Sequence, residues 1–183
     1  MAEEKRIQMT QAGLEEIQEK LDYLIGTRRN EIAHQIEVAR GFGDLSENAE
    51  YDEAKKEQAK LEEEINRLTH IRDLDEVVAG STTRVGVGVT VTLEVLAVDE
   101  ALKEDYNDGL EPDDPDYVEV GRTFTYAIVG SEEARPEENR ISLDSELGRL
   151  LDGKRKKDEI AMEIPEGEIR YRLTKIEATK RRS

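Results

Sequence analysis

The run Gly41-Phe42-Gly43-Asp44-Leu45-Ser46-Glu47-Asn48-Ala49-Glu50-Tyr51 divides two long, highly charged segments, each with apolar residues at helical spacing. Without it the two would read as one continuous helix. Glycine relaxes the backbone where a helix must stop and reverse. Asp44 or Ser46 is placed to cap the following helix by accepting its free N–H groups. The reading is an antiparallel helical hairpin that carries the carboxylates of Asp44 and Glu47 at its far tip.

On the N-terminal side the first arm starts after Thr10, an N-cap candidate. Leu14, Ile17, Leu21 and Leu24 follow at 3-4-3 spacing, as in a coiled-coil seam. The pattern then slips by one residue to Ile25, Ile32, Ile36 and Ala39, leaving Arg28 on the old register. From Gln11 to Ala39 the arm would reach roughly 43 Å at about 1.5 Å per residue. The second arm runs from Ser46 or Glu47 to Leu74. Ala54, Gln58, Leu61, Ile65 and Leu68 repeat a 4-3-4-3 spacing, and Ile71 and Leu74 close the base. Matched lengths on either side of the glycines favour a hairpin over two separate helices.

Beyond Val77-Val78-Ala79-Gly80-Ser81 the composition changes. Val87 to Val98 alternates and is β-branched, a strand pattern. Further strands are expected over Arg122–Val129, Arg140–Leu143, Glu159–Ile164 and Glu168–Ile176, with Pro165-Glu166-Gly167 as a turn. Asp144 or Ser145 caps a short helix through Leu151, and Gly153 sits where a left-handed C-terminal cap falls. Between the first two strands, Asp99 to Glu119 holds ten acids and one Lys. It reads as a long, solvated loop with almost nothing to bury, dispensable for folding. The fold class is therefore α+β: a helical hairpin over 1–78, its acidic tip at 41–51, then a small antiparallel β domain with one short helix over 79–183, carrying an acidic insertion at 99–119.

Composition narrows the function classes. Charged residues make up 39% and aromatics 4%, with no Trp, which suits a coiled coil beside a compact β domain rather than one large core. The absence of Cys excludes disulfides and thiolate chemistry. No apolar run approaches 18 residues and the N-terminus is polar, so a cytoplasmic protein without membrane attachment is expected. The net charge of −17 argues against a general duplex-DNA-binding surface. Neither half escapes it, with 20 acids to 11 bases over 1–80 and 24 to 16 over 81–183. A protein partner fits better than naked nucleic acid.

Two carboxylates three residues apart are hard ligands suited to magnesium, yet they rarely complete a magnesium site. They could share an ion with ligands from another molecule. The competing reading is structural: Asp44 caps the second helix and Glu47 favours its dipole. Spacing alone favours that structural reading. Arg28, Arg29, Arg40, Lys55, Lys56 and Lys60 along the arms read first as partners of neighbouring acids; alongside a phosphate backbone they would also make contacts. His34 and His70 lie on different helices, and no nucleophile–base arrangement can be assembled. The chain shows no self-sufficient active site.

Ala39 to Tyr51 as a whole resembles the tip signature of the bacterial Gre transcript-cleavage factors, GreA type. Met9-Thr10 with Gly13-Leu14, Tyr126-Ala127-Ile128-Val129-Gly130, Ile141-Ser142, Leu151-Asp152-Gly153-Lys154, and Pro165, Gly167 and Glu168 extend the likeness along nearly the whole chain. Two departures are the longer acidic loop and Glu146, where Pro is common. The resemblance implies an FKBP-like C-terminal domain docked at the rim of the RNA polymerase secondary channel, with the coiled coil passing down it. Asp44 and Glu47 would then help hold a second Mg²⁺, shared with the polymerase, and orient the attacking water on backtracked RNA. It further implies tip support from Gly43, Leu45, Asn48 and Tyr51, and RNA contacts from Arg40, Lys55 and Lys56 near the nascent 3′ end. Polymerase contacts would come from Ser142, Asp144, Ser145 and Leu147, and the factor would act as a monomer that stimulates its partner's catalysis. The alternatives are a channel-binding homologue that inhibits transcription, and a coiled-coil chaperone or prolyl isomerase unrelated to polymerase. The intact Gly-Asp-Leu-Ser-Glu-Asn order favours cleavage, and so few aromatic residues disfavour an isomerase pocket.

Overall fold

The computed structural model describes residues 7–41, 45–99, 107, 109–111, 114, 117–165 and 167–179. The chain forms two compact units, one of Leu14–Glu76 and one of Gln8–Gly13 with the chain from Val77 onward.

The helical unit follows the seam. Helix α1 (Gln11–Tyr23) passes through a π turn, Leu24–Arg28, into α2 (Arg29–Gly41); α3 (Leu45–Leu74) returns without interruption over 30 residues. Ile17, Leu21, Ile32, Ile36 and Ala39 are buried on the first arm, and Ala54, Leu61, Ile65, Leu68 and Ile71 on the second. The expected one-residue slip is present, but Ile25 does not take it up. Ile25 is 43% exposed, and the additional residue is absorbed in the π turn, where Arg29 N–H donates to Leu24 O five positions back. Ion pairs tie the arms antiparallel: Lys20–Glu64 at 2.7 Å, Arg28–Glu57 at 3.0 Å and a two-pronged Arg29–Glu62 at 2.7 and 2.9 Å. Arg28 pairs along its own arm with Glu31 at 2.9 Å, as expected, and also reaches across the hairpin, whereas Arg29 reaches across it to Glu62.

Two short strands were not expected. β1 (Ile7–Met9) and β2 (Asp75–Val77) form a two-stranded sheet. The first falls in what reads as a polar N-terminus.

In the second unit, β3 (Val89–Val98), β4 (Thr123–Val129), β5 (Arg140–Ser142), β6 (Glu159–Ile164) and β7 (Gly167–Ala178) form one sheet in the order β5-β4-β3-β7-β6. The sheet is mixed rather than antiparallel: β4 and β5 run parallel, pairing Ala127 with Arg140 and Ile128 with Ile141. Two 3-10 turns, Ser131–Glu133 and Pro136–Glu138, carry the chain back so that β5 runs beside the last three residues of β4. Alternation on β3 places Val89, Val91, Leu93 and Val95 inward, each at most 1% exposed. Ile128, Ile160, Ile169, Tyr171 and Leu173 join them in one core. Helix α4 (Glu146–Leu151) adds Leu151 to it; Ser145 Oγ caps α4 by accepting from Gly148 N–H at 3.0 Å. Gly153, at φ +68°, takes the left-handed position expected of it.

The acidic insertion is not wholly solvated. Val118 is 4% exposed and belongs to the core. The Asn107 side chain both donates to Val118 O and accepts from Val118 N–H, each at 2.9 Å. A dispensable loop therefore has to end before this anchor.

Residues 8–13 are fastened within the same unit by Glu133, a carboxylate 3% exposed. It accepts from Thr10 N–H at 2.8 Å, from the Thr10 hydroxyl, and from Gly130 N–H at 3.0 Å. Arg140 stands 3.8 Å away. The Thr10 hydroxyl in turn accepts from Gly13 N–H at 3.0 Å, the cap expected at the head of α1. A Cβ on Gly13 would run into the Glu133 side chain, which would have to leave its hydrogen bonds to make room, and one on Gly130 would run into the backbone oxygen of Gln8, so a side chain at Gly130 has no place.

Candidate functional site at the hairpin tip

Helix α2 ends at Gly41 and α3 begins at Leu45. Phe42, Gly43 and Asp44 lie outside the described residues. Asp44 directly precedes the first helical position of α3, and Ser46 falls inside the first turn rather than at the cap. Glu47 is the third residue of α3 and Asn48 the fourth, among the N–H groups left unpaired at a helix start. A carboxylate in this turn is favoured by the helix dipole.

The Arg40 guanidinium carbon stands 5.7 Å from the Tyr51 ring centroid, a cation–π contact from the last turn of α2 to the second turn of α3. Just below, Ala39 and Ala54 are buried, and a shallow groove is lined by Val38, Ala39, Glu50, Glu53 and Ala54. The small seam residues let the two helices close on each other here. Lys55 donates to Gln58 Oε1 at 2.7 Å and Lys56 is exposed on the same helix. Of the three basic candidates, Arg40 is thus held against Tyr51, Lys55 is held along α3, and Lys56 projects from it.

Further back, charge is locked into structure. The Glu64 carboxyl is held down to about 2 by hydrogen bonds from Arg67 and Lys20, against a smaller opposing effect of burial. The Arg28 guanidinium is pushed above its ordinary value, first by the hydrogen bond to Glu31 and then by Glu57.

The four candidates in the second unit separate. Ser142 is buried, with its carbonyl accepting from Ser145 Oγ at 2.7 Å. Ser145 is occupied as the cap of α4. Leu147 is half-buried against the core. Asp144 is exposed, and its carboxylate accepts from Ser131 Oγ at 2.5 Å. Sequence reasoning missed Glu133, because Ser131-Glu132-Glu133 looks like a solvated acidic run. The available signal was its spacing three residues after Gly130, that of a capping box.

Among the described residues no three His, Asp or Glu side chains are grouped to hold a metal ion, and no helix is long and apolar enough to cross a membrane. The tip carboxylates are hard oxygen donors of the kind magnesium takes, and two of them supply less than an octahedral shell.

The comparisons with known proteins agree along the chain. A family model described as the N-terminal part of the GreA/GreB transcription elongation factors matches residues 7–74, and one for the C-terminal part matches 116–178. Transcription elongation factor GreA of Bacillus licheniformis is 37% identical over 179 residues, 96% of this chain and 99% of that protein. That of Geobacillus kaustophilus is 40% identical over 183 residues, 98% and 100% of the respective chains. The crystal structure of GreA factor homolog 1 from Thermus thermophilus aligns with 95% of this chain and all of that one, at 22% identity and a TM-score of 0.39. With both halves matched and relatives of full length above 30% identity, this chain belongs to the GreA/GreB family of transcription elongation factors.

Proposed function

We propose that this elongation factor stimulates RNA polymerase to cleave backtracked RNA by passing its hairpin down the secondary channel and presenting Asp44 and Glu47 at the polymerase active centre. The observation that carries this is the long α2–α3 hairpin, narrow and ion-paired along its arms, with Glu47 in the first turn of α3. A rod of this kind delivers acids to a site deep inside a partner. It stimulates its partner's chemistry rather than cutting RNA alone.

Asp44 and Glu47 would hold a second Mg²⁺ jointly with carboxylates of the polymerase. When bound, that ion lowers the pKa of its water and balances charge at the phosphate. The remaining work falls to this chain's own side chains. Arg40 and Tyr51 would support the tip from behind, Leu45 and Asn48 from the first turn of α3, and Gly43 from its place in the motif. Arg40, Lys55 and Lys56 lie along a path for the RNA backbone. Asp144 and Leu147, near the start of α4, form a docking edge for the polymerase rim, with Ser142 and Ser145 shaping it from beneath.

The test is Asp44→Asn in the full chain, added to stalled, backtracked elongation complexes. Asn keeps the capping capacity and loses the charge. The expected protein binds polymerase normally, cleaves on the order of 100-fold more slowly at limiting Mg²⁺, and recovers in part as Mg²⁺ is raised. Full cleavage by Asp44→Asn at limiting Mg²⁺ would leave only the capping role. A wild-type protein that slows elongation without shortening RNA would point to the inhibitory homologue.

A further inference from the structure

Between α4 and β6 the chain carries four consecutive cations, Lys154, Arg155, Lys156 and Lys157. Lys154 is half-buried and the other three are exposed. Val85 N–H donates to Lys154 O at 2.8 Å and Gly153 N–H to Val85 O at 3.1 Å, which brings the backbone of exposed Arg84 next to the same loop. Among the described residues none of these cationic side chains is ion-paired. On neighbouring β7, by contrast, Arg170, Arg172 and Lys175 each meet a carboxylate, of Glu168 at 3.8 Å, Glu159 at 2.9 Å and Glu177 at 2.9 Å. Acids are plentiful in a chain of net charge −17. Of the loop's own two, Asp158 accepts from Arg155 N–H at 2.8 Å, and Asp152 is exposed.

Backbone geometry singles out one of these cations. Asp158 N–H donates to Arg155 O at 3.0 Å, closing a turn with Lys157 in its third position. Lys157 has φ +79°, the left-handed region that the third position of a type II turn requires and that glycine fills at least cost. Among the described residues the other non-glycine at positive φ is Asn139, a residue type that tolerates this region. The turn is pinned to the sheet, since Lys157 N–H donates to Leu173 O at 2.7 Å and Leu173 N–H to Asp158 O at 2.9 Å. A lysine therefore holds a conformation that costs stability, with no ion pair in the described chain to offset it.

We infer that Arg84 and Lys154–Lys157 form a docking surface for the phosphate backbone of single-stranded RNA. Strain at an exposed residue is a mark of function, and what Lys157 offers outward is a charge. The exposed large apolar residues are Tyr23, Ile25, Val38, Val77 and Val120, and none is in the loop. The surface thus lacks the apolar centre of a protein interface. Ammonium groups on long stems meet phosphates as point charges, without reading bases. So short a cluster suits a strand that can bend around a turn. A duplex needs a broad basic face, which a net charge of −17 disfavours. RNA is the single strand that the proposed cleavage function brings to this protein, and in that choice the inference rests on that reading.

The experiment measures binding of a labelled single-stranded RNA of about 20 nucleotides to the full chain, without polymerase, between about 50 and 200 mM salt. Lys154→Gln, Arg155→Gln, Lys156→Gln and Lys157→Gln combined should weaken binding at least about ten-fold at the lower salt. The log–log salt slope should become shallower by about 3, at about 0.7 per lost phosphate contact. Lys157→Gly is the sharper variant. It should melt no lower than wild type, and up to about 3 °C higher, yet bind RNA about two- to three-fold more weakly. Unchanged RNA affinity in both variants overturns the inference, as does wild-type protein that fails to bind RNA at about 50 mM salt. Duplex DNA of the same length bound as tightly as RNA overturns the choice of a single strand. A combined variant that keeps its RNA affinity but loses affinity for polymerase makes the loop a protein-docking surface instead. Were Lys157→Gly to melt below wild type, the lysine would serve the fold and the inference would fall. RNA binding through the loop by a protein without cleavage activity would uphold the inference and count against the proposed function.

Discussion

The β3 strand and the α2–α3 hairpin bury apolar residues in different ways. On β3, Val89, Val91, Leu93 and Val95 are enclosed by neighbours on both sides of the strand and by residues such as Leu151 from above, leaving at most 1% of each exposed. In the hairpin the buried residues lie in single file, and the flanks are held by partly exposed pairs such as Arg29–Glu62. A core closed in two dimensions concentrates energy in each residue. A seam spreads modest contributions along a rod, and near the tip they shrink to alanines and a cation–π contact. The seam next to the proposed tip is therefore less invested in burial than the sheet core.

The largest test of this contrast is Leu93→Ala. Leu93 is fully buried, and truncation removes transfer energy and leaves a cavity, for an expected loss of about 2–5 kcal/mol. Chemical denaturation should show it, with most of the helical circular dichroism at 222 nm surviving until the hairpin's own transition. If helical and sheet signals were lost together at the lower midpoint, the two regions would be one cooperative system and the contrast would fail.

Glu133→Ala asks whether a polar group can matter as much as a core leucine. Its removal strands the buried N–H groups of Thr10 and Gly130 and takes away one of the two carboxylates beside Arg140, the other being Glu138 at 3.6 Å. Breaking such a buried arrangement costs on the order of 3 kcal/mol. Hydrogen exchange at Thr10 and Gly130 should rise before exchange elsewhere in the sheet. Unchanged stability would mean that Glu133 only fills space.

What the sequence made legible follows from the range of the interactions involved. The arms, their seam, the Thr10 cap, the Ser145 cap and Gly153 depend on residues a few positions apart, and all were readable. The slip after Leu24 was readable as a count. Which hydrogen bonds absorb the additional residue was not, so Ile25 looked like a seam position and is exposed. The parallel β4–β5 pair and the Asn107 clasp on Val118 depend on the course of loops, which carry no periodicity. Glu133 acquires its role from Thr10, 123 positions away. At the tip, Glu47 falls where its spacing placed it in α3, whereas Asp44 is known through its motif and its place before Leu45.

The smallest effect belongs to the exposed ion pairs, and Glu64 makes it measurable through pH. Hydrogen bonds from Arg67 and Lys20 hold its carboxyl at about 2, against an ordinary 4.5. A depressed folded-state pKa means that the stabilisation is fully present above the unfolded value. It is lost as pH falls from about 4.5 through about 2, where the folded protein must also take up the proton. Lys20 is 52% exposed and Glu64 31%, so solvent screening limits the contribution to about 0.2–1 kcal/mol. Glu64→Gln should accordingly melt about 1–3 °C below wild type at neutral pH. The gap should narrow below pH 4.5, close near pH 2, and shrink in 1 M salt at neutral pH. A gap that stayed constant across this range would assign the effect of Glu64 to packing along α3. The charged flank of the hairpin would then contribute shape rather than electrostatic stability, and the contrast with the sheet core would rest on burial alone.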